Sequence, residues 1–200
     1  IPLAHEDDPD RAMRASIDMI SSLWRWNIER VAKGQIPIEM GIGLNTGNVV
    51  SGNIGSPKRM DYTMIGDGVN LAARLESACK QYKARTLISE FTQAALKGVY
   101  RSREVDKVIV QGKTEPVGVF EVLDFHSDET FPNVMEVLNY FKDGLGKYRK
   151  GDWDPAIKSF KEAEKLNPDD FVSTMYVERC QTLKKQKPKD WDGVWVMTSK

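Results

Sequence analysis

Charged side chains are plentiful in this chain of 200 residues, but few of them stand at a spacing that suggests chemistry. Asn70 and Arg74 stand four apart in GDGVNLAARLE. On a helix they would share one face. Arg74 is flanked by Ala72, Ala73 and Leu75. A planar guanidinium among such residues near a helix start can project into a cleft and meet phosphate with its fork of donors. Spacing alone still leaves Arg74 as an ordinary surface arginine, the commoner case. Gly41, Gly43 and Gly47 do not have the GxGxxG spacing, and the NVVSGNI after them is β-like, which excludes a dinucleotide-binding turn. Gly112-Lys113-Thr114 matches the end of a phosphate-binding P-loop, but the first glycine of that motif would fall on Lys107. His5 and His126 lie in polar segments without a positioned partner, so neither reads as a general base. Asp7 and Asp8 are explained as acids at a helix start rather than as metal ligands.

Bulk properties narrow the classes further. Lys plus Arg and Asp plus Glu both total 29, and 40% of residues are hydrophobic. A neutral chain has no global field drawing it to nucleic acid or anionic lipid, so any phosphate site must be local. Cys79 and Cys180 are far apart and fit no CxxC spacing. They read as thiols of a reducing compartment, and a cytoplasmic location is expected. No apolar run approaches the ~20 residues of a bilayer span, so no membrane segment is expected. The chain opens at Ile1 rather than Met, and it is expected to be a piece of something longer.

The elements that must position Asn70 and Arg74 can be read from periodicity. Asp8-Pro9 opens a helix whose apolar residues, from Ala12 and Met13 through Ile17, Ile20, Trp24 and Ile28 to Val31, recur at three- and four-residue steps until Gly34. In IEMGIGLNTGNVVSGNIG, two β-rich runs flank Thr46-Gly47-Asn48, which reads as a hairpin turn. The many glycines weaken a strand unless another backbone or a ligand comes close. A strand at Asp61–Ile65 runs into Gly66-Asp67-Gly68, with Asp67 as N-cap of the helix carrying Asn70 and Arg74. A strand at Thr86–Ser89, a short helix ending near Gly98, and strands at Val105–Val110 and Val117–Leu123 complete an α+β sandwich with helices on one face of a sheet. Residues 1–124 are read as this domain and 125–133 as a linker. Residues 134–186 are helical, with Tyr140, Gly144, Tyr148, Gly151, Ala156, Phe160, Ala163 and Pro168 near the spacing of one tetratricopeptide unit. In the tail, 187–200, Trp191 and Trp195 form an apolar strip suited to docking that unit.

The segment MDYTMIGDGVNLAARLE closely resembles the signature of class III adenylyl and guanylyl cyclases, a strand followed by G-x-x-V-N-x-A-x-R opening a helix. GIGLNTGNVVSGNIGS upstream and VQGKTEPVGVFEV downstream are similar to the family's glycine-rich paired strands and its final hairpin. The three motifs stand in the family's order across Ile38 to Leu123. The resemblance, strongest to bacterial adenylyl cyclases with Thr at the purine position, implies a partial ferredoxin-like βαββαβ-type sandwich that turns ATP into cyclic AMP and pyrophosphate. It gives Asn70 the ribose, Arg74 the charge on the α-phosphate, and Thr63 the purine. Lys113 lies in the hairpin that supplies a lysine to the terminal phosphates, although that lysine aligns better with Gln111. The family uses Mg2+ or Mn2+ on two aspartates that would precede Ile1, and it builds each site between subunits of a head-to-tail homodimer. This stretch alone is therefore expected to be inactive. Guanylyl cyclase activity, or a non-catalytic regulator whose helical appendage binds a protein, are the other readings.

Overall fold

The computed structural model describes residues 4–56, 59–109 and 116–195, which divide into two compact units. The first holds Ile1–Tyr100 and Val119–Val122. Its elements are α1 (Asp8–Ala32), β1 (Ile42–Leu44), β2 (Val50–Ser56), β3 (Arg59–Ile65), α2 (Asp67–Tyr82), β4 (Thr86–Ser89) and α3 (Glu90–Ala95). The second holds Arg101–Gly118 and Leu123–Lys200, with β5 (Ser102–Ile109), α4 (Val134–Arg149), α5 (Trp153–Leu166) and α6 (Phe171–Gln186). Strand β6 (Pro116–Val122) contributes its last four residues to the first unit.

In the first unit β4 is the middle strand. It is buried along its whole length, as a strand covered on both faces must be. β1 lies parallel to it, Ile42 opposite Thr86 through Leu44 opposite Ile88. β6 runs antiparallel on the other side, with Leu87 opposite Glu121. Successive strand residues face opposite sides. Leu44 joins Met13 and Ile17 of α1 in a cluster with Ile88 and Val122, whereas the neighbouring Gly43 abuts the backbone of α2. The helices therefore bear on both faces of β1 rather than on the single face expected from the sequence. The N-terminus of α1 is tied down by the buried Asp10 carboxylate, which accepts the amides of Lys97 (2.9 Å) and Gly98 (2.8 Å) and the Tyr100 hydroxyl (3.0 Å).

Two local expectations are corrected. Thr46-Gly47-Asn48 is not a hairpin turn. β1 takes β4 as its partner, while β2 pairs antiparallel with β3, Val50 opposite Ile65 through Ser56 opposite Arg59. The physical reason is that polar bonds of Asn45 and Thr46 to Ser89 and Thr92 lead the chain away from β1. Asp67 is the first helical residue rather than the cap. The cap position is Gly66, with φ +155° and ψ 161° and no side-chain cap bond, a conformation almost restricted to glycine.

The second unit is built on aromatic rings and buried ion pairs. Phe141, Tyr148, Phe160 and Tyr176 are fully buried, and Tyr176 meets Phe141 and Tyr148 edge-on, the favoured arrangement of ring quadrupoles. The segment 125–133 is not a free tether, since Phe131 packs with Leu123, Val134, Val137 and Ala163. Trp191 donates its indole N–H to the Tyr148 carbonyl at 3.1 Å and stacks edge-on with Trp153. Arg179 lies over the Trp195 ring. β5 is fastened to the helices by charge. Arg103 forks onto Asp170 at 2.8 and 2.6 Å, Asp106 accepts from Arg179 at 2.6 Å, Glu104 pairs with Arg149, and the Tyr176 hydroxyl donates to the Val105 carbonyl at 2.7 Å. The Arg103 and Asp170 side chains are only 4% and 1% exposed.

Burial alone would raise the pKa of Asp170, but the Arg103 charge and hydrogen bonds from Arg103 and Ser173 outweigh it and hold the carboxyl below its usual value. A depressed folded pKa contributes stability that is present above the unfolded value of ~3.9 and is lost as pH falls through the folded one. Arg103→Met leaves Asp170 buried without its cation. In urea unfolding near neutral pH it should cost about 3–5 kcal/mol. The pH dependence should also reverse, because an unpaired buried carboxyl has a raised pKa and destabilises as pH rises. An unchanged urea midpoint and pH profile would show that the pair does not hold β5 to the helices.

Candidate functional site

Helix α2 carries Asn70 and Arg74, and its seat fixes where they point. Leu71, Leu75, Ala78, Cys79 and Tyr82 form its buried stripe, while Asn70 and Arg74 lie on the exposed side. The stripe rests on β1, where side chains have been removed to admit it. A Cβ on Gly43 would stand 2.2 Å from the Ala72 carbonyl oxygen and 2.4 Å from the Glu76 nitrogen, and one on Gly41 would meet Cys79 Cβ at 2.9 Å. The glycine-rich run is therefore a bed for a helix backbone. Cys79 is sealed in this contact, its thiol pushed up to about 11 chiefly by burial. At that value it stays protonated and is no nucleophile near neutral pH.

Thr63 sits on β3, opposite Gly52 of β2. Cross-strand partners share a face, so Thr63 lies on the face that carries Val50, Ile54, Asp61 and Ile65. The other face carries Met60, Tyr62 and Met64. Both faces present large apolar side chains to solvent, with Val50 70%, Met60 63% and Tyr62 59% exposed. A two-stranded ribbon is marginal in water without a covering surface. Gly66 then turns the chain sharply from β3 into α2, so that Thr63 and Asn70 are separated by one strand end and one helical turn.

Thr63, Asn70 and Arg74 thus lie exposed on consecutive elements of the first unit. Lys113 lies outside the described residues. Among the described residues no cluster of three His, Cys, Asp or Glu side chains could hold a metal ion. Asp8 instead accepts the His5 amide at 2.9 Å and pairs with Arg11, and Asp7 pairs with Arg14. His126 Nδ1 is 3.1 Å from the Thr130 hydroxyl and its ring lies against Phe125 and Phe131, which makes it part of a turn.

Sequence reasoning missed the polar residues that brace the site helix. Asn45 Nδ2 donates to the Gly68 carbonyl in the first turn of α2 at 3.1 Å, and its Oδ1 accepts from Ser89 Oγ at 2.6 Å. Asn45 is one of three Asn residues in a glycine-rich stretch, and no periodic signal singles it out. Among the described residues no helix is long and apolar enough to cross a membrane.

Comparison with known proteins adds a second line of observation. The family described as "Adenylate and Guanylate cyclase catalytic domain" matches residues 4–122. The chain is 34% identical over 172 residues to the terminal-differentiation specific adenylate cyclase of Dictyostelium discoideum, covering 84% of this chain and 8% of that protein. It is 38% identical over 127 residues to the adenylate cyclase of Anabaena cylindrica, covering 60% of this chain and 25% of that protein. It therefore spans a quarter or less of the length of these curated relatives. Among solved structures it is similar to the guanylyl cyclase Cya2, with 36% identity, a TM-score of 0.51 and 60% of each chain covered.

The bed at Gly43 gives a direct test. Gly43→Ala forces a methyl group into backbone atoms that cannot rotate away and should destabilise the fold by about 3 kcal/mol, the upper end of the usual overpacking range. Gly52→Ala, whose Cβ would meet nothing within 4 Å, should change stability by less than ~1 kcal/mol. Urea midpoints that move equally for the two variants would contradict the close seating of α2.

Proposed function

Since the chain belongs to the adenylate and guanylate cyclase catalytic-domain family, we propose that it supplies the Asn70–Arg74 half of a site that converts ATP to cyclic AMP and pyrophosphate. The observation that carries this reading is the placement of Asn70 and Arg74, one turn apart on the exposed face of α2 just after the Gly66 bend. In the reaction the ribose 3′-oxygen forms a bond to the α-phosphorus. The bond from that phosphorus to the bridging oxygen breaks, pyrophosphate leaves with the electron pair, and the hydroxyl proton passes to solvent water. Asn70 holds the ribose by its amide. Arg74 aims fixed donors at the oxygens of the α-phosphate, where negative charge grows, and such preorganised donors are usually the largest catalytic contribution. The Thr63 hydroxyl accepts from the adenine amino group.

The family's Mg2+ or Mn2+, when bound, would supply Lewis-acid chemistry at the attacking hydroxyl and the leaving phosphates. The described residues do not form a fitting ligand set, so the proposal gives those ligands to residues upstream of this sequence, and the roles of Asn70, Arg74 and Thr63 do not depend on their geometry. The proposal includes a head-to-tail homodimer. The exposed apolar ribbon of β2 and β3 gains a cover, and Asn70 and Arg74 gain a second wall that excludes water, without which a guanidinium is screened. The helices of the second unit are read as a tetratricopeptide-like appendage. Gly144, Tyr148, Ala156, Phe160 and Ala163 of that spacing are all buried, which supports the reading.

GTP is the second substrate reading, favoured by the likeness to a solved guanylyl cyclase. The Dictyostelium and Anabaena relatives are named adenylate cyclases, and the Thr63 hydroxyl suits an amino group. In the complete protein, Arg74→Ala should lower kcat by about 10²–10³, the scale for removing one such donor, with a small change in KM. In the same assay Thr63→Ala should cut the preference for ATP over GTP by about ten- to hundredfold. An Arg74→Ala enzyme that keeps its kcat and only loses ATP affinity would reduce Arg74 to a binding residue.

A further inference from the structure

A chain of oriented hydrogen bonds runs beneath the site helix. The Thr46 hydroxyl donates to Thr92 Oγ1 at 3.2 Å, and Thr92 Oγ1 donates to the Leu44 carbonyl at 3.3 Å. The Thr92 amide donates to Ser89 Oγ at 3.2 Å, which caps α3. Ser89 Oγ in turn donates to Asn45 Oδ1 at 2.6 Å. That bond leaves the Asn45 amide nitrogen facing the Gly68 carbonyl, to which it donates at 3.1 Å. Ser89 and Thr92 are 0% and 1% exposed, so water cannot replace these partners, and their two hydroxyls also lie 3.4 Å apart, where either can donate. The network ends on the first turn of α2, two residues before Asn70. Gly68 belongs to the contact, since a Cβ there would meet Asn45 Nδ2 at 3.1 Å.

From this geometry we infer that Asn45, oriented by Ser89, is a positioning residue for the cyclase reaction. It grips the first turn of α2 from outside the helix and so sets the direction in which Asn70 and Arg74 project. The inference rests on the proposed roles of Asn70 and Arg74. The bed at Gly43 fixes how close the helix comes to the strand, and a helix lying on a smooth bed can still slide or roll. A side-chain bond to one carbonyl near its start opposes that motion. A carbonyl has two lone pairs, so Gly68 can accept from Asn45 without giving up its place in the helix. Asn45 itself touches no substrate atom in this scheme. Its effect is transmitted through the helix.

Asn45→Asp is the sharpest variant, because it keeps size and the acceptor for Ser89 while turning an oxygen toward the Gly68 carbonyl. In the complete protein it should lower kcat about ten- to hundredfold, the scale of a small misplacement of a catalytic group, with KM for ATP nearly unchanged. Ser89→Ala should act in the same direction. In an Arg74→Ala background the loss caused by Asn45→Asp should be much smaller than in the parent, because coupled residues do not contribute independently. Unchanged kcat in Asn45→Asp, or losses that simply multiply with Arg74→Ala, would overturn the inference while leaving the family reading intact. If Arg74→Ala itself leaves kcat unchanged, the reading fails and takes the inference with it. Amide exchange in the 200-residue chain gives a readout independent of activity. Asn45→Asp should speed exchange at residues 70–72 relative to 78–82, and equal protection in both stretches would also overturn the inference.

Discussion

The backbone of α2 lies against the backbone of β1 at Gly43, with no side chain between them. Most of the first unit is organised by that contact. It puts the apolar stripe of α2 on the sheet and leaves the opposite side, with Asn70 and Arg74, facing outward. It requires β1 to be covered by a helix on one side and by the cluster containing Met13 on the other. It also brings Asn45, two residues along, within reach of Gly68. Gly66 is needed for the same reason, because the chain must turn from a solvent-facing ribbon into a helix already fixed in place. A surface built this way holds Asn70 and Arg74 outward on a closely seated helix, as the proposed half-site requires.

The second unit obeys a different constraint. Charged residues at 103, 104 and 106 of β5 are all partnered by residues beyond 148, through Asp170, Arg149 and Arg179. Two of these pairs are almost dry, so their worth lies less in net stability than in the cost of separating them. β5 therefore belongs physically with the C-terminal helices, although the family match extends to residue 122 and includes it.

Much of this was readable from the sequence where the signal is local and periodic. The stripe from Met13 to Ile20, the buried run Thr86–Ser89, the helix through Leu71 and Leu75, and the three C-terminal helices can all be read from spacing. Pairing across long separations was not readable. The parallel partner of β1 lies about forty residues away, and nothing in Thr46-Gly47-Asn48 reveals that the chain departs there instead of turning back. Nothing local in the sequence joins Arg103 or Asp106 to a partner, because Asp170 and Arg179 lie more than sixty residues downstream. Asn70 and Arg74 were found by resemblance to a family. Their spacing alone described any helix surface, and the structure adds that the surface is exposed and anchored. Asn45 and Ser89 carry no pattern at all and emerge only from hydrogen-bond geometry.

The claim on which the functional picture turns is that Asn70 and Arg74 complete a site whose metal-binding part belongs to another subunit. Subunit mixing addresses it directly. One subunit carries Arg74→Ala and the other lacks the metal-binding aspartates, each inactive by itself, and cyclic AMP formation is measured after the two are combined. Activity should return in the mixture, because one of the two interfacial sites then receives an intact half from each partner. Silence in a mixture where the mixed dimer is shown to form would contradict a shared site and place all of the chemistry within one chain.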